Sequence, residues 1–514
     1  MRFLAFKSIS LGVLLSALVV SAVWAQKPAP GPDIVNLTPG GEVNVQNLPT
    51  SGPRTPVHKD MPFLTPDIAE LRDTKDLHNT GTQLAPNASA TIAPGSITAS
   101  SSSSFQGLKR SESGGWVPPD TQIGVGPNHV FEAVNLEGRI WSKTDGTVVS
   151  TFNLNSFFNT SAQLSDPKIR YDWNSQRWFI AVISYNNSFT NGAWRLAVSR
   201  TSDPTGLYAL YTASTSRSAP DFPALGINDD KVVLTANAFR GNNFLGTEFI
   251  VINKANLVAG GSAASAYFGP PQGLFTIQPA QSLSTTSALY MASVAYNSAT
   301  SIRVWAITGV PGSSTVKVTT LGNPAITSLT SPPNAQQSGT NTTIETNDNR
   351  LLDAVYQGGN LWVSATSACV PNQPTPDTAT RACLRYIQLS VSPTTVSKIQ
   401  DFDFGKTGFY YYYPAIQTDG AGNLISVFSG SSALAFPGVY ASAQPVGATS
   451  TFQTPALIHG GENAYTPFAN RWGDYSGAAL DPSDSTKVWV AGEYVDALGG
   501  SEWGTWVAPV QVGP

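Results

Sequence analysis

A weak sevenfold repeat constrains the fold of this chain more than any other feature. Each copy has a turn residue, two large apolar residues and then smaller ones, as in Arg177, Trp178 and Phe179 followed by Ile180 and Ala181. The copies lie at 129–131, 177–179, 231–233, 288–290, 360–362, 423–425 and 487–489. Neighbouring copies are between 48 residues (129 to 177) and 72 residues (288 to 360) apart. A unit of that length holds about four strands, which is typical of one β-propeller blade.

The repeat predicts an all-β fold, a seven-bladed β-propeller of four-stranded antiparallel blades over residues 105–514. Short apolar runs alternate with Gly, Asn, Asp and Pro turns, and no long helical period interrupts them. The last copy has only three predicted strands. We expect the missing strand to come from residues 105–108, because a strand added there would cover an open sheet edge.

The N-terminal part of the chain has a different composition from the repeats. Arg2 and Lys7 precede an apolar stretch that ends in Val23, Trp24 and Ala25, which predicts a signal peptide over residues 1–25. Residues 26–104 are rich in Pro, Ser and Thr. We interpret them as a linker or arm, largely unpacked, with one short helix over 67–77.

Charge and hydropathy limit the partners. The net charge is −4, charged residues make up 12% of the chain, and no Lys/Arg block is present, so we expect no nucleic acid partner. No stretch after the signal peptide is long and apolar enough to span a bilayer. We therefore expect a secreted or periplasmic protein, monomeric, without an integral membrane segment once the signal is removed.

The two cysteines, Cys369 and Cys383, predict one disulfide, because an exported chain meets an oxidising environment. The stretch between them is rich in Pro and Thr and reads as a loop. A bridge across it stabilises the fold by about 3 kcal/mol in the chain-entropy model. Its spacing matches neither a redox motif nor a zinc site.

Seven polar residues are predicted to meet at one mouth of the central channel. The innermost strands of a propeller run in the same direction, so the residues at which they start converge. Counting back from each repeat gives Asp120, Asp166, Asp221, Gln278, Arg350, Tyr413 and Asp474. Carboxylates and a guanidinium at such close quarters would perturb one another's protonation.

This set allows several functions. A pair among Asp120, Asp166, Asp221 and Asp474 could act as acid and base, or as nucleophile, on a glycosidic bond. The carboxylates could instead hold Ca²⁺, a cation that prefers oxygen ligands. Gln278, Arg350, Tyr413 and Arg471 could bind a polar ligand, with an arginine clamping an anion. The structural alternative is that each Asp caps a turn where its strand starts.

The aromatic run 409–413 offers a second type of site. Aromatic faces can stack on sugar rings, which favours glycan binding. The alternative is that these rings pack between blades, where aromatic side chains bury a large apolar area.

Several motifs carry a resemblance to known proteins. They are VPPDT at 117–121, GVGPNH at 124–129 and RWGDYS at 471–476, together with SDP at 165–167. The chain from residue 105 onward resembles a group of exported bacterial β-propeller proteins of uncharacterised function, described as hypothetical or sialidase-like. The resemblance implies the propeller fold and no established activity, so it assigns no catalytic residue. A sialidase would need three arginines around a carboxylate, and only Arg350 and Arg471 are clear candidates.

The sequence thus predicts an exported propeller that binds a ligand, a carbohydrate or another surface polymer, at the polar channel mouth. Two alternatives stay open. One is a glycoside hydrolase or polysaccharide lyase that uses a carboxylate pair at that mouth. The other is a protein-interaction scaffold, whose contacts would lie on the outer faces of the blades.

Overall fold

The computed structural model describes residues 32–52, 59–60, 63–79, 91–100, 103–215, 218–270, 274–467 and 471–513. The predicted signal peptide lies outside the described residues. None of the described helices is both long and apolar enough to cross a bilayer.

Six strands and one helix precede the first blade. They are β1 (Asp33–Leu37), β2 (Gly41–Asn44), β3 (Lys59–Asp60), α1 (Ile68–Asn79), β4 (Thr91–Ala99), β5 (Phe105–Lys109) and β6 (Trp116–Val117). Helix α1 confirms the helix predicted over 67–77.

Seven antiparallel sheets then follow one another as the blades of a β-propeller. Blade 1 contains β7 (Gln122–Val125), β8 (His129–Val134), β9 (Glu137–Ser142) and β10 (Val148–Asn153), followed by α2 (Leu154–Phe157). Blade 2 contains β11 (Gln163–Asp172), β12 (Arg177–Tyr185), β13 (Gly192–Ser199) and β14 (Leu207–Thr215). Blade 3 contains β15 (Ala219–Ile227), β16 (Lys231–Arg240), β17 (Asn243–Asn253), α3 (Lys254–Ala259) and β18 (Ala263–Phe268).

Blades 4 and 5 have additional short strands. Blade 4 contains β19 (Phe275–Pro279), β21 (Leu289–Val294), β22 (Ser298–Thr308), β23 (Lys317–Gly322) and β24 (Ala325–Thr330), which pairs with β22. Between β19 and β21 lies β20 (Gln281–Ser282), which joins the inner edge of blade 5. Blade 5 contains β25 (Leu351–Gln357), β26 (Asn360–Cys369), β27 (Arg381–Val391) and β28 (Val396–Phe404).

Blades 6 and 7 complete the ring. Blade 6 contains β29 (Tyr410–Thr418), β30 (Leu424–Ser432), β31 (Ala435–Gln444) and β33 (Ala456–His459), with β32 (Thr451–Thr454) pairing to β4. Blade 7 contains β34 (Gly477–Leu480), β35 (Val488–Val495) and β36 (Trp503–Val512).

The N-terminal segment closes blade 7, as the sequence predicts. Lys109 pairs with Gly504 and Phe105 pairs with Val507, so β5 is the fourth strand of this blade. Leu108 is fully buried there. Further along β36, β4 pairs Ile97 with Val512. The last blade is therefore held shut by residues from the beginning of the fold.

The expectation of a largely unpacked arm is wrong for the described part of residues 26–104. Strand β1 is the outer strand of blade 3, and β2 is the outer strand of blade 2. Both strands satisfy backbone donors and acceptors that the outer edges of these blades would otherwise expose. Composition could not reveal this pairing, because the partner strands lie far away in the sequence.

The core lies between neighbouring blades. In blade 3, Val232 and Leu234 belong to an apolar cluster shared with blade 2, whereas Val233 belongs to one shared with blade 4. Alternate residues of a strand face opposite sides of its sheet, so the middle strand is buried on both faces. This explains why the repeat has consecutive large apolar residues.

The predicted disulfide is present. Cys369 at the end of β26 is bonded to Cys383 in β27, with their Cα atoms 5.8 Å apart. It closes the loop between these two strands.

Candidate functional site at the axial mouth

A strained backbone position marks the start of the innermost strand in five blades. The residues there have positive φ although none is a glycine: Asp120, Asp166, Phe222, Thr276 and Tyr413, with φ of 56°, 56°, 51°, 48° and 55°. In blades 2, 3, 4 and 6 the strand pairing also shifts register at this point. Left-handed backbone is unfavourable for such residues and persists only where the surroundings hold it in place.

Side chains from the preceding blade hold this position. The backbone N–H of Asp166 donates to Asn135 Oδ1 at 2.9 Å. The same contact recurs in blade 4, where the backbone N–H of Thr276 donates to Asn237 Oδ1 at 2.8 Å. In blade 6 it is made by Tyr413, which donates to Thr366 Oγ1 at 3.0 Å. We name these contacts the blade latches. They fix the strained residue in blades 2, 4 and 6 and tie each of these blades to the preceding one.

The left-handed backbone position defines which residues are equivalent in these five blades. Asp120, Asp166 and Tyr413 occupy the left-handed position. In blade 3 that position belongs to Phe222, so Asp221 lies one residue earlier, and in blade 4 it belongs to Thr276, so Gln278 lies two residues later. The number of residues between the left-handed position and the repeat copy differs between blades, from 222 to 231 in blade 3 and from 276 to 288 in blade 4. Counting back by a similar distance from every repeat cannot detect this difference, which is why the predicted ring is out of step in these two blades.

Two of the predicted carboxylates are linked directly. Asp120 accepts hydrogen bonds from Asn135 Nδ2 at 2.7 Å and from the backbone N–H of Asp474 at 3.0 Å. Asp474 in turn accepts from Arg471 Nη2 at 2.7 Å and from Asn347 Nδ2 at 2.9 Å. Blades 1 and 7 are therefore joined by a chain of charged and amide groups.

Arg350 is paired with a carboxylate that the sequence analysis missed. It donates to Asp348 through Nε at 2.8 Å and through Nη2 at 2.7 Å, a bidentate arrangement. Each of the two side chains is almost fully buried. Asp348 lies two residues before Arg350 in the segment between β24 and β25. Counting back from a repeat gives one position per blade, here Arg350, and so does not identify the partner.

An aromatic pair lies beside these ions. The rings of Phe222 and Tyr475 are 4.6 Å apart between centroids. The Arg350 guanidinium carbon lies 4.3 Å from the centre of Phe222, and Lys168 Nζ lies 2.9 Å from the centre of Tyr475. The Tyr475 hydroxyl donates to Asp166 at 2.8 Å. Two cations are thus stabilised on aromatic faces close to the carboxylates.

The structure brings six of the seven predicted ring residues, and Arg471, into one cluster. We name this cluster the axial mouth: Asp120, Asp166, Asp221, Arg350, Tyr413, Arg471 and Asp474. Gln278 lies elsewhere. It lines a narrow axial cavity of about 20 Å³ with Lys168, Arg170 and Asp353, and its amide donates to the backbone carbonyl of Leu351 at 2.9 Å.

Burial changes the protonation of the acidic groups. Burial raises the pKa of Asp120 well above its ordinary value, and the carboxylates of Asp474 and Asp166 raise it further. Burial and Asp474 raise the pKa of Asp166, and burial and Asp166 raise that of Asp221. Burial lowers the pKa of Lys168 to about 7. A raised pKa favours the protonated form of a carboxyl group, which can donate as well as accept hydrogen bonds.

Solvent access differs among the mouth residues. Asp120 is 1% exposed and Asp474 is 8% exposed. The ring of Phe63, from the N-terminal arm, lies 4.8 Å from the Arg471 guanidinium carbon. Asp221 is half-buried. A ligand arriving from solvent would therefore meet Asp221 before the other predicted carboxylates.

Tyr410 to Tyr413 are core residues, and Phe409, the first member of the aromatic run, is partly buried. Tyr411 and Tyr412 are almost fully buried, and the Tyr413 hydroxyl donates to the backbone carbonyl of Glu345 at 2.9 Å. Tyr411 packs on Phe428 with 4.9 Å between ring centroids. The run thus follows the alternative in which these rings pack within the propeller.

Glu493 is a further acidic group that sequence reasoning missed. It is 2% exposed, and burial with Asp120 and Asp474 raises its pKa well above the ordinary value. Glu493 follows the small residues of β35 as Asn237 follows those of β16. A polar residue that follows the small residues of a blade's second strand is the sequence signal that could have identified Glu493. Asn237 occupies the corresponding place in blade 3 and forms its latch from there.

Within the described ranges, no three His, Cys, Asp or Glu side chains are grouped so that they could hold a metal ion. The carboxylates of the axial mouth bond to amides, a hydroxyl and cationic side chains instead.

No family model and no curated protein matches the chain. Among solved structures, it is similar to a protein of unknown function from Dyadobacter fermentans (TM-score 0.36, 10% identity, 83% of this chain and 98% of that one). It is also similar to the GH93 α-L-arabinofuranosidase of Fusarium graminearum in complex with arabinobiose (TM-score 0.38, 8% identity, 84% and 98%). A third is the WD40 domain of SCAP from fission yeast (TM-score 0.35, 10% identity, 85% and 96%). Scores this low carry no argument about function.

Proposed function

We propose that this protein binds a carbohydrate, or another hydroxyl-rich surface polymer, at the axial mouth. The observation that carries the proposal is the state of Asp221, a half-buried carboxyl group whose pKa is raised well above its ordinary value, first by burial and then by Asp166. It belongs to a cluster of otherwise buried carboxyl and guanidinium groups. Such a ligand would be met in the periplasm or outside the cell, in keeping with the export that the N-terminal sequence predicts.

The chemistry of the cluster suits hydroxyl groups. A sugar hydroxyl both donates and accepts a hydrogen bond. A protonated carboxyl can donate one, and the neighbouring ionised carboxylates can only accept. Arg350 and Arg471 already hold Asp348 and Asp474. An anionic ligand would have to displace those carboxylates, so an uncharged or weakly charged polymer is favoured.

A second candidate is hydrolysis of a glycosidic bond. The raised pKa of Asp221 is the observation that favours it, because a general acid must hold its proton at the working pH. Asp166 would then supply the second carboxyl group.

Two substitutions of Asp221 separate binding from catalysis. Asp221→Ala removes every hydrogen bond of the side chain, so we expect glycan-array affinity to fall by about fivefold to tenfold, the effect of about 1 kcal/mol. Asp221→Asn keeps a donor and an acceptor, so binding should largely remain. If the protein is a hydrolase, Asp221→Asn should abolish degradation of the bound polysaccharide.

Asp33→Asn is the matched control, because Asp33 is an exposed carboxylate on the outer strand of the same blade. The proposal fails if Asp221→Ala binds every glycan with the affinity of the wild type. Thermal unfolding of each variant checks that any loss does not come from misfolding.

A further inference from the structure

The innermost strands end at the opposite side of the ring, and a second site lies there. An axial basin of about 380 Å³ is lined by residues that include Arg170, Tyr171 and Trp173. A groove of about 290 Å³ lies beside it, between blades 5 and 6, and is lined by residues that include Trp362. Gln357 and Gly420 line both. We name the two together the exit trough.

Four side-chain amides form a connected row in the inter-blade part of the trough. Gln388 donates to Asn360 Oδ1 at 3.0 Å. Gln400 and Gln444 donate to each other, each at 3.1 Å. Gln400 also donates to Gln388 Oε1 at 2.5 Å. A primary amide has two N–H donors and two acceptor lone pairs. Gln400 uses all of them, since its oxygen also accepts from the backbone N–H of Ser450 at 2.6 Å. The bonds of Gln388, Gln444 and Asn360 leave donors and acceptors for a ligand.

This part of the trough has no charged lining residue among those that the structure describes. Thr418 adds another polar group, because its Oγ1 is buried and has no hydrogen-bond partner among the described residues. The amides and this hydroxyl can match groups that both donate and accept, and they offer no counter-charge to an anion or a cation.

The axial part supplies an aromatic surface. Trp173 is 47% exposed, unusual for so large an apolar side chain. The charged groups nearby are already paired. Arg170 Nη2 lies 3.3 Å from Asp353 Oδ1, and Asp481 Oδ1 lies 2.6 Å from Lys143 Nζ.

We propose that the exit trough binds an uncharged oligosaccharide. Trp173 would pack against the C–H face of one sugar unit, and the amide row would hydrogen-bond the hydroxyls of units further along the groove. This site is separate from the axial mouth and does not depend on the function proposed there. The shared lining residue Gln357 places the two parts within reach of one chain-like ligand.

Calorimetric titration of the full protein with a panel of hexasaccharides tests the proposal. The uncharged members are cellohexaose, xylohexaose, mannohexaose and arabinohexaose, and hexagalacturonate is the anionic counterpart. We expect at least one uncharged hexasaccharide to bind. Its affinity should change less than twofold between roughly 50 and 500 mM NaCl, because an uncharged sugar forms no charged pair with the site for salt to screen.

Variants assign the binding to the trough. Trp173→Ala should weaken binding at least tenfold, and Trp173→Phe should retain most of it, because the aromatic face remains. Gln388→Ala should weaken it roughly fivefold, the loss of one or two hydrogen bonds. Leu498→Ala is the matched control, since it removes another exposed apolar side chain, 80% exposed and outside the trough. It should leave the affinity unchanged.

Several results would overturn this assignment. One is that none of the uncharged hexasaccharides binds, or that hexagalacturonate alone does. Another is that Asp221→Ala abolishes binding while Trp173→Ala retains it, which would assign the sugar to the axial mouth instead. A third is that a displayed peptide library yields Trp173-dependent binders while every hexasaccharide fails. If Asp221→Ala and Trp173→Ala affect different ligands, both proposed sites stand.

Discussion

The two ends of the propeller axis are built from the same strands yet differ in chemistry. At the axial mouth, carboxylates and cations are buried and satisfy one another, as Asp348 and Arg350 do. At the exit trough, uncharged amides line the groove and the exposed ring of Trp173 lines the basin beside it. The difference teaches that a dense polar cluster meets a ligand only through its accessible members, which at the mouth is Asp221. Groups that already have partners stabilise the ring, and groups with spare hydrogen-bonding capacity are the ones available to a ligand.

The prediction with the largest expected effect tests how much the ion pairs of the axial mouth contribute to the free energy of unfolding. Asp348→Ala would leave the buried Arg350 guanidinium without its partner, so we expect the free energy of unfolding to fall by about 3–5 kcal/mol. Urea unfolding followed by tryptophan fluorescence measures it. The double variant Asp348→Ala with Arg350→Met removes the stranded charge and should recover much of the loss. Equal stability of the single variant and the wild type would contradict this account of the mouth.

Closure of the ring gives the next largest effect. Leu108 is fully buried in β5, the strand that completes blade 7 near the start of β36. Leu108→Ala should lower the free energy of unfolding by about 3 kcal/mol through lost burial and the cavity left behind. Thr98→Ala, an exposed position on β4, which pairs further along β36, is the control and should change little. Equal stability of the two variants would argue against closure by β5.

The exit trough should contribute less to stability than the mouth does. Gln444→Ala removes the reciprocal hydrogen bonds with Gln400, which join uncharged groups. We expect the free energy of unfolding to fall by about 1 kcal/mol, measured by the same urea titration. A loss as large as that of Asp348→Ala would mean that the exit trough and the axial mouth contribute equally to stability.

The smallest effect concerns pH. The pKa of Asp221 is higher in the folded protein than in the unfolded chain. Between the unfolded-state pKa and the folded-state pKa, the folded state therefore binds more protons. The free energy of unfolding contributed by this group therefore falls as pH rises through that range. Asp221→Asn should make the fall of melting temperature above about pH 4 shallower. Asp33→Asn is the control, and an unchanged slope in Asp221→Asn would count against the raised pKa.

The sequence predicted the parts of this molecule that repeat locally. Consecutive large apolar residues such as Val232 and Val233 reflect burial between two neighbouring blades, and counting these pairs gave the number of blades. The closing strand could be inferred because the last copy lacked its fourth strand. The packing of β1 and β2 could not, because an edge strand is defined by a distant partner. At the mouth, residue types converged as predicted. The register shift beside Phe222 and the approach of Asp348 depend on backbone conformation and long-range packing, which no local pattern encodes.

The pairing of the N-terminal strands β1 and β5 with distant parts of the chain has a consequence for folding. Asp33 pairs with Tyr267, and Lys109 pairs with Gly504. A ribosome or a translocation pore delivers these early residues long before their partners emerge. Such remote pairings are slow to form and leave hydrophobic edges uncovered in the meantime. The ring can close only after β36 has emerged to pair with β5, so closure of blade 7 is a late step in folding.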